Sequence, residues 1–201
     1  RDGREHEVEV YFEASPRWAL DQPYQQSASK GYEADGLLYL KSGSKEQNIL
    51  AKQGDDLRID WGYFDVVAGK ESTAYSIGNS SELRKNFVNG TLNSASLEGE
   101  DSNGNMALVR SHGKVKNVTD KIMLGYDDIY SIQYFGTNLR PYWNSKGDRT
   151  IEAEMLAAYN EYDKLLARCY AFDKKLMEDA SAAGGKEYAE LCALAYRQSI
   201  A

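Results

Sequence analysis

Near Thr150 the spacing of apolar residues changes from every second position to every third or fourth. Alternation sends successive side chains to opposite faces of a strand, whereas three-to-four spacing gathers them on one stripe of a helix. No single element satisfies both periods. The chain is therefore expected to build in two parts, strands and turns first and helices after.

In residues 8–13, Val8, Val10 and Phe12 share one face and Glu9, Tyr11 and Glu13 the other, the pattern of a half-buried strand. Further strands are expected over 37–41, 57–68, 73–77, 106–111, 121–126 and 129–135, with one short helix over 81–89. Turn chemistry separates them at Ser42-Gly43-Ser44, Asn89-Gly90 and Asn103-Gly104-Asn105. Short strands at this spacing, most with no helix between them, predict an antiparallel β-sandwich over residues 1–143.

The second part, residues 144–201, reads as a junction and two helices. Ile151, Met155, Tyr159, Tyr162, Leu166, Cys169, Phe172 and Leu176 form one stripe. Thr150 suits the N-cap, and Glu152 and Glu154 suit the positive end of the helix dipole. Gly184-Gly185 is expected to end this helix. In the next, Tyr188, Ala189, Leu191, Cys192, Ala193, Leu194, Ala195 and Tyr196 leave almost no polar face, which predicts burial on several sides. Arg197 and Gln198 interrupt that face, and a buried charge needs a partner. The sequence opens on Arg1 and stops at Ala201 inside a helical pattern. The expectation is a fragment whose second helix packs against the remainder of a helical domain.

Charge and motifs narrow the function. The net charge of -7, from 31 acidic and 24 basic residues, argues against nucleic acid as a partner. No apolar run approaches the roughly 20 residues of a membrane span. The basic cluster at 114–121 is diluted by Asn117, Thr119 and Asp120 and reads as a solvated edge. Cys169 and Cys192 cannot form a disulfide framework and are expected to be buried thiols. Neither histidine, His6 nor His112, has a Ser or Cys in a nucleophile setting. No phosphate-cradling glycine loop is present. Residues 101–105 begin like a calcium loop, but Gly104 comes early and His112 stands where the bidentate Glu belongs. No metal or cofactor is expected.

Paired carboxylates occur at Asp55-Asp56, read as a turn, and at Asp127-Asp128, between two apolar strands. The second pair is open to two readings, a ligand site or acceptors for backbone amides at a bend. The 15 tyrosines and three tryptophans supply flat faces with polar tips, which suit sugars and other small polar molecules. Trp61 is expected in the core, whereas Trp143 fits binding and packing equally. Asn79, Asn89 and Asn117 open glycosylation-type triplets at turn-like positions.

Several strings resemble the glutaminase A-like family of secreted bacterial and fungal proteins. They are Asp60-Trp61-Gly62-Tyr63-Phe64, the run from Met123 through Tyr126-Asp127-Asp128 to Gly136, and Tyr142-Trp143. The helical part contributes Tyr162-Asp163, Phe172-Asp173, Gly184-Gly185, Glu187-Tyr188-Ala189 and Leu194-Ala195-Tyr196-Arg197-Gln198. The resemblance implies a β-rich domain followed by a helical (α/α) toroid of the six-hairpin glycosidase type, a secreted or periplasmic location, and deamidation of glutamine to glutamate.

The fold class expected is thus an α+β multi-domain fragment, a sandwich followed by the first helices of a toroid. The function expected is part of a glutaminase-type hydrolase, inactive in isolation, acting on a small polar substrate. A glycoside hydrolase and a non-catalytic carbohydrate-binding scaffold are the alternatives. Candidate substrate-binding residues are Tyr126, Asp127, Asp128, Arg140, Trp143 and Arg197. Residue type gives Asp127 and Asp128 the roles of binding an amine or moving a proton, and Arg197 that of holding a carboxylate.

Overall fold

The computed structural model describes residues 2–52, 60–92 and 104–199, so the Asp55-Asp56 pair and most of the rejected calcium loop lie outside the described residues. The chain divides into two compact units, Arg1–Leu156 and Ala157–Ala201.

The first unit holds two antiparallel sheets and a hairpin. Strands β1 (His6–Ala14), β6 (Asn105–Val115) and β5 (Thr73–Gly78) form one sheet in the order β1-β6-β5. The other, ordered β2-β3-β4-β7, contains β2 (Ser27–Ala34), β3 (Leu37–Ser44), β4 (Tyr63–Gly69) and β7 (Met123–Asp127). β8 (Ile132–Tyr134) and β9 (Thr137–Leu139) pair alone. Ala14, Ile77, Met106 and Leu108 from the first sheet and Leu40, Phe64, Val66 and Ala68 from the second meet in a single buried cluster. Alternation explains the side each sheet presents: on β4, Phe64, Val66 and Ala68 point one way and Tyr63, Asp65 and Val67 the other.

Helix α1 (Ser80–Val88) is capped by Asn79, whose carboxamide oxygen accepts from the Ser81 and Glu82 amides. Arg84 ties it to β1 through an ion pair with Glu13 at 2.8 Å. Burial works against the Glu13 carboxylate, yet hydrogen bonds from Ser80, Asn105, Arg84 and Tyr11 hold its pKa down at about 2. Glu13 is thus nearly enclosed, not on a solvated face, while Val10 is 39% exposed. A bulge between Glu7 and Glu9 shifts the register of β1 against β6.

Strand β2 escaped the periodic reading. Asp35 at φ 48° and Gly36 at φ 81° make the tight turn into β3, and an Asp-Gly pair is itself a hairpin signal. The strand expected over 129–135 is shorter, because the chain bends at Ile129 and turns at Phe135-Gly136 into β9.

The long helix α2 (Ile151–Ser199) starts in the first unit. The Thr150 hydroxyl accepts from the Ala153 amide at 3.2 Å, the expected N-cap. Ile151 and Met155 are buried against the outer face of the second sheet, above Gly125. On that face the Tyr32 hydroxyl donates to Glu152 Oε1 at 2.7 Å, and the Tyr39 hydroxyl donates to the Glu152 carbonyl at 3.2 Å. The landing of α2 therefore buries the second face of β4.

Within the second unit the helix breaks at Gly185, whose φ of 82° and ψ of -175° are not helical. The Phe172 and Tyr196 rings, from the two sides of the break, lie 4.9 Å apart, so the segments fold back on each other. This pair buries Ala180 and Ala189 but leaves Leu191 61% and Leu194 54% exposed. Two helices alone enclose only a narrow seam, so within these residues the second helix is covered along one side; the expected packing against the remainder of a helical domain involves residues outside this chain. The expectation of buried thiols is corrected: on this two-helix seam Cys169 is exposed and Cys192 partly so. Among the described residues no helix is long and apolar enough to cross a membrane.

Asp65 bears the main electrostatic cost of this arrangement. It is wholly buried on β4, and neither carboxylate oxygen has a hydrogen-bond partner. Burial pushes its pKa up to about 7, with Lys41 opposing and Glu152 and Asp127 reinforcing the rise. Lys41 stands directly across from it on β3, but its ammonium lies over the Tyr63 ring. The folded state therefore holds a proton on Asp65 that the unfolded chain, at 3.8, has already released. Stability from this group is present at acid pH and is lost as pH rises toward 7. From pH 5 to pH 8 the native protein should lose about 3 kcal/mol relative to Asp65→Asn, read by urea denaturation at each pH. A difference between the two that does not change with pH would contradict this account.

Candidate functional site

A cleft of about 420 Å³ opens at the end of the second sheet where β4 begins and β7 ends. Its walls come from four short segments. The 3-10 turn Pro16–Ala19, capped by Ser15, supplies Trp18 and Ala19. The approach to β4 supplies Trp61 and its first residue Tyr63, and the end of β7 supplies Tyr126 and Asp127, followed by Asp128. The 3-10 turn Tyr142–Asn144 and the proline before it supply Trp143 and Pro141. Phe64 underlies two of these walls, with its ring 5.4 Å from that of Trp18 and 5.0 Å from that of Tyr126.

The bend after β7 is held by a dense set of hydrogen bonds. The Trp61 indole N–H donates to both the Asp128 carbonyl at 2.8 Å and the Tyr130 carbonyl at 2.9 Å. Asp127 Oδ1 accepts from the Ile129 amide, and Asp128 Oδ2 from the Ser131 hydroxyl. The Tyr130 amide donates back to the Asp128 carbonyl. Ile129 sits at the centre of this tight turn with φ 57°. A β-branched residue is rare in that region and costs about 1–3 kcal/mol, so the surrounding bonds must over-determine it. Asp127 is thus an acceptor for a backbone amide at the bend, Asp128 accepts from a side-chain hydroxyl there, and both residues also line the cleft.

Gly62 makes the clasp possible. Its φ is 79°, and a Cβ there would lie 2.3 Å from the Asp127 carbonyl oxygen. Gln47 fixes it from the other side, accepting from the Gly62 amide and donating to its carbonyl.

Of the residues expected from the sequence, Tyr126, Asp127, Asp128 and Trp143 come together in the cleft. Arg140 is not among the lining residues; its guanidinium lies over the Tyr130 ring at 5.0 Å. Arg197 is exposed on the helix of the second unit. Trp61 is in the core as expected, 8% exposed, yet one edge of it also faces the cleft. Trp18, 54% exposed, was missed: a proline-led turn carries no periodic signal and no hint of which distant strand it will meet. Tyr126 has its hydroxyl pKa raised by burial and remains a neutral donor. Among the described residues no cluster of three or more His, Cys, Asp or Glu is placed to hold a metal ion. The lining carries no Ser, Thr, Cys, His or Lys. Among the described residues the cleft thus offers aromatic faces and two carboxylates.

Residues 1–179 match the model of a family described as a domain of unknown function, DUF5127. The chain belongs to that family. It is also similar to Glutaminase A of Aspergillus oryzae, with 25% identity over 217 aligned residues covering the whole of this chain. The chain spans about 30% of that curated relative's length. All of the cleft's lining residues fall within the part matched to DUF5127.

The clasp predicts that Gly62→Ala should destabilise the protein by about 3 kcal/mol, through positive-φ strain and overlap with the Asp127 backbone. Denaturant unfolding followed by tryptophan fluorescence reads this. A loss under about 0.5 kcal/mol, the size of an ordinary surface substitution, would show that the bend yields without cost.

Proposed function

We propose that this chain is the ligand-holding, β-rich part of a glutaminase-related hydrolase, and that bond cleavage needs residues outside it. In this reading the two sheets act as a β-sandwich and α2 begins a helical toroid. The observation that carries it is the cleft: an aromatic-walled hollow of small-molecule size with two carboxylates and, among the described residues, no Ser, Thr, Cys or Lys in its lining. The whole-length similarity to a protein named Glutaminase A supports glutamine as the substrate of the larger protein. Asp127 and Asp128 would then receive the substrate's amine.

A second reading has one specific observation behind it. Walls built from Trp18, Trp143 and Tyr126 also suit the stacking of a sugar ring, the job of a carbohydrate-binding module in a glycosidase-like protein. Ammonia release from glutamine separates the two. The longest natural product containing this chain should release ammonia and the 201-residue chain should not. Release by neither, with both folded, would remove glutamine from the proposal and leave the sugar reading. Release by the 201-residue chain itself would overturn the division between holding and cleavage.

A further inference from the structure

We propose that the cleft selects a small organic cation, a substituted ammonium head group, over neutral or anionic molecules of the same shape. This rests on the reading of the cleft as a ligand site and adds what distinguishes its ligand.

Three observations converge on it. First, Asp127 and Asp128 are the only formally charged side chains among the lining residues. Lys41 lies 4.7 Å over the ring of Tyr63, itself a lining residue, and Arg140 lies over Tyr130, but neither cation is among the lining residues. An anion entering here would meet carboxylates with no lining cation to offset them. Second, each carboxylate commits one oxygen to the bend, and Asp127 Oδ2 and Asp128 Oδ1 accept no hydrogen bond from the described residues. A carboxylate oxygen left unpaired attracts a cation through its charge, a pull that a neutral molecule of the same shape does not feel. Third, Trp18, Trp61 and Trp143 all line this one cleft, and the sequence contains just three tryptophans. Trp61 has spent its N–H on two carbonyls, so what it has left to offer a ligand is the ring. Indole has the strongest π-face for a cation, and carboxylates beside aromatic faces give an ammonium group both partners it favours. The volume of about 420 Å³ admits such a head group with its substituent.

Because all three tryptophans line the cleft, fluorescence excited selectively at tryptophan reports on this site. The test titrates the folded chain with choline and with its neutral isostere 3,3-dimethyl-1-butanol, which share a shape and differ in charge. Cellobiose is titrated in parallel. Choline should bind at least about tenfold more tightly than the alcohol, and about tenfold more weakly to Asp127→Asn than to the native chain. Asn at this position keeps an oxygen for the Ile129 amide, so the bend survives the substitution. A second variant, Trp143→Leu, should also weaken choline binding and guards against misfolding of the first. Equal binding of choline and the alcohol would overturn the selectivity while leaving a ligand site. Saturation by cellobiose without choline would overturn it in favour of the sugar reading. No saturation by any of the three would overturn both this inference and the ligand-site reading beneath it.

Discussion

Strand β4 has no face turned to water. One side, Phe64, Val66 and Ala68, packs into the cluster shared with the first sheet, and the other, with Asp65 and Val67, lies on the side where α2 lands. A strand buried on both sides can be entered and left only at its ends, and it fixes whatever stands there. Its entry is Trp61-Gly62-Tyr63, and its neighbour β7 ends at Asp127, opposite Tyr63 in the register. The cleft is therefore a consequence of how β4 is enclosed. The same enclosure leaves Asp65 without a hydrogen-bond partner, since a polar residue on a strand covered from both sides has no route to solvent.

Strain and rigidity at the cleft follow from that fixed end. The chain leaving β7 must bend at once, and it does so through Ile129 in a conformation that isoleucine avoids. Trp61 resists relaxation by gripping the carbonyls on both sides of the strained residue. The grip works because Trp61 is itself 8% exposed and cannot swing away. A bend held this firmly presents its two carboxylates in one geometry, and preorganisation lowers the cost of ordering a site when a ligand arrives.

How much of this could be read from the sequence depends on the range of the forces involved. Local signals carried well: the Thr150 cap, the Gly184-Gly185 break and the short helix after Asn79 each arise from chemistry within a few residues. The stretch from Tyr126 to Trp143 drew attention because Asp-Asp between apolar strands is locally odd, and four of the six candidates do meet in the cleft. Trp18 was invisible because its role depends on a contact with Phe64, far along the chain. The exposed face of the last helix marks the same limit: an apolar sequence states a preference for cover without saying which segment supplies it.

Asp65 shows most clearly where local reading stops. In Tyr63-Phe64-Asp65-Val66-Val67 the alternation puts Asp65 opposite Phe64 and Val66, where a strand with one wet face would carry a polar residue. The pattern is obeyed, and the residue is buried all the same, because Ile151 and Met155 cover that face from the start of α2. Period two identifies the face away from the core without saying whether water reaches it. The answer came from Thr150 onward, where the period changes, and from Tyr32 and Tyr39, whose hydroxyls hold Glu152 on the sheet. The junction between the two hydrophobic periods is thus what seals β4, and the cleft stands at the end of the strand it seals.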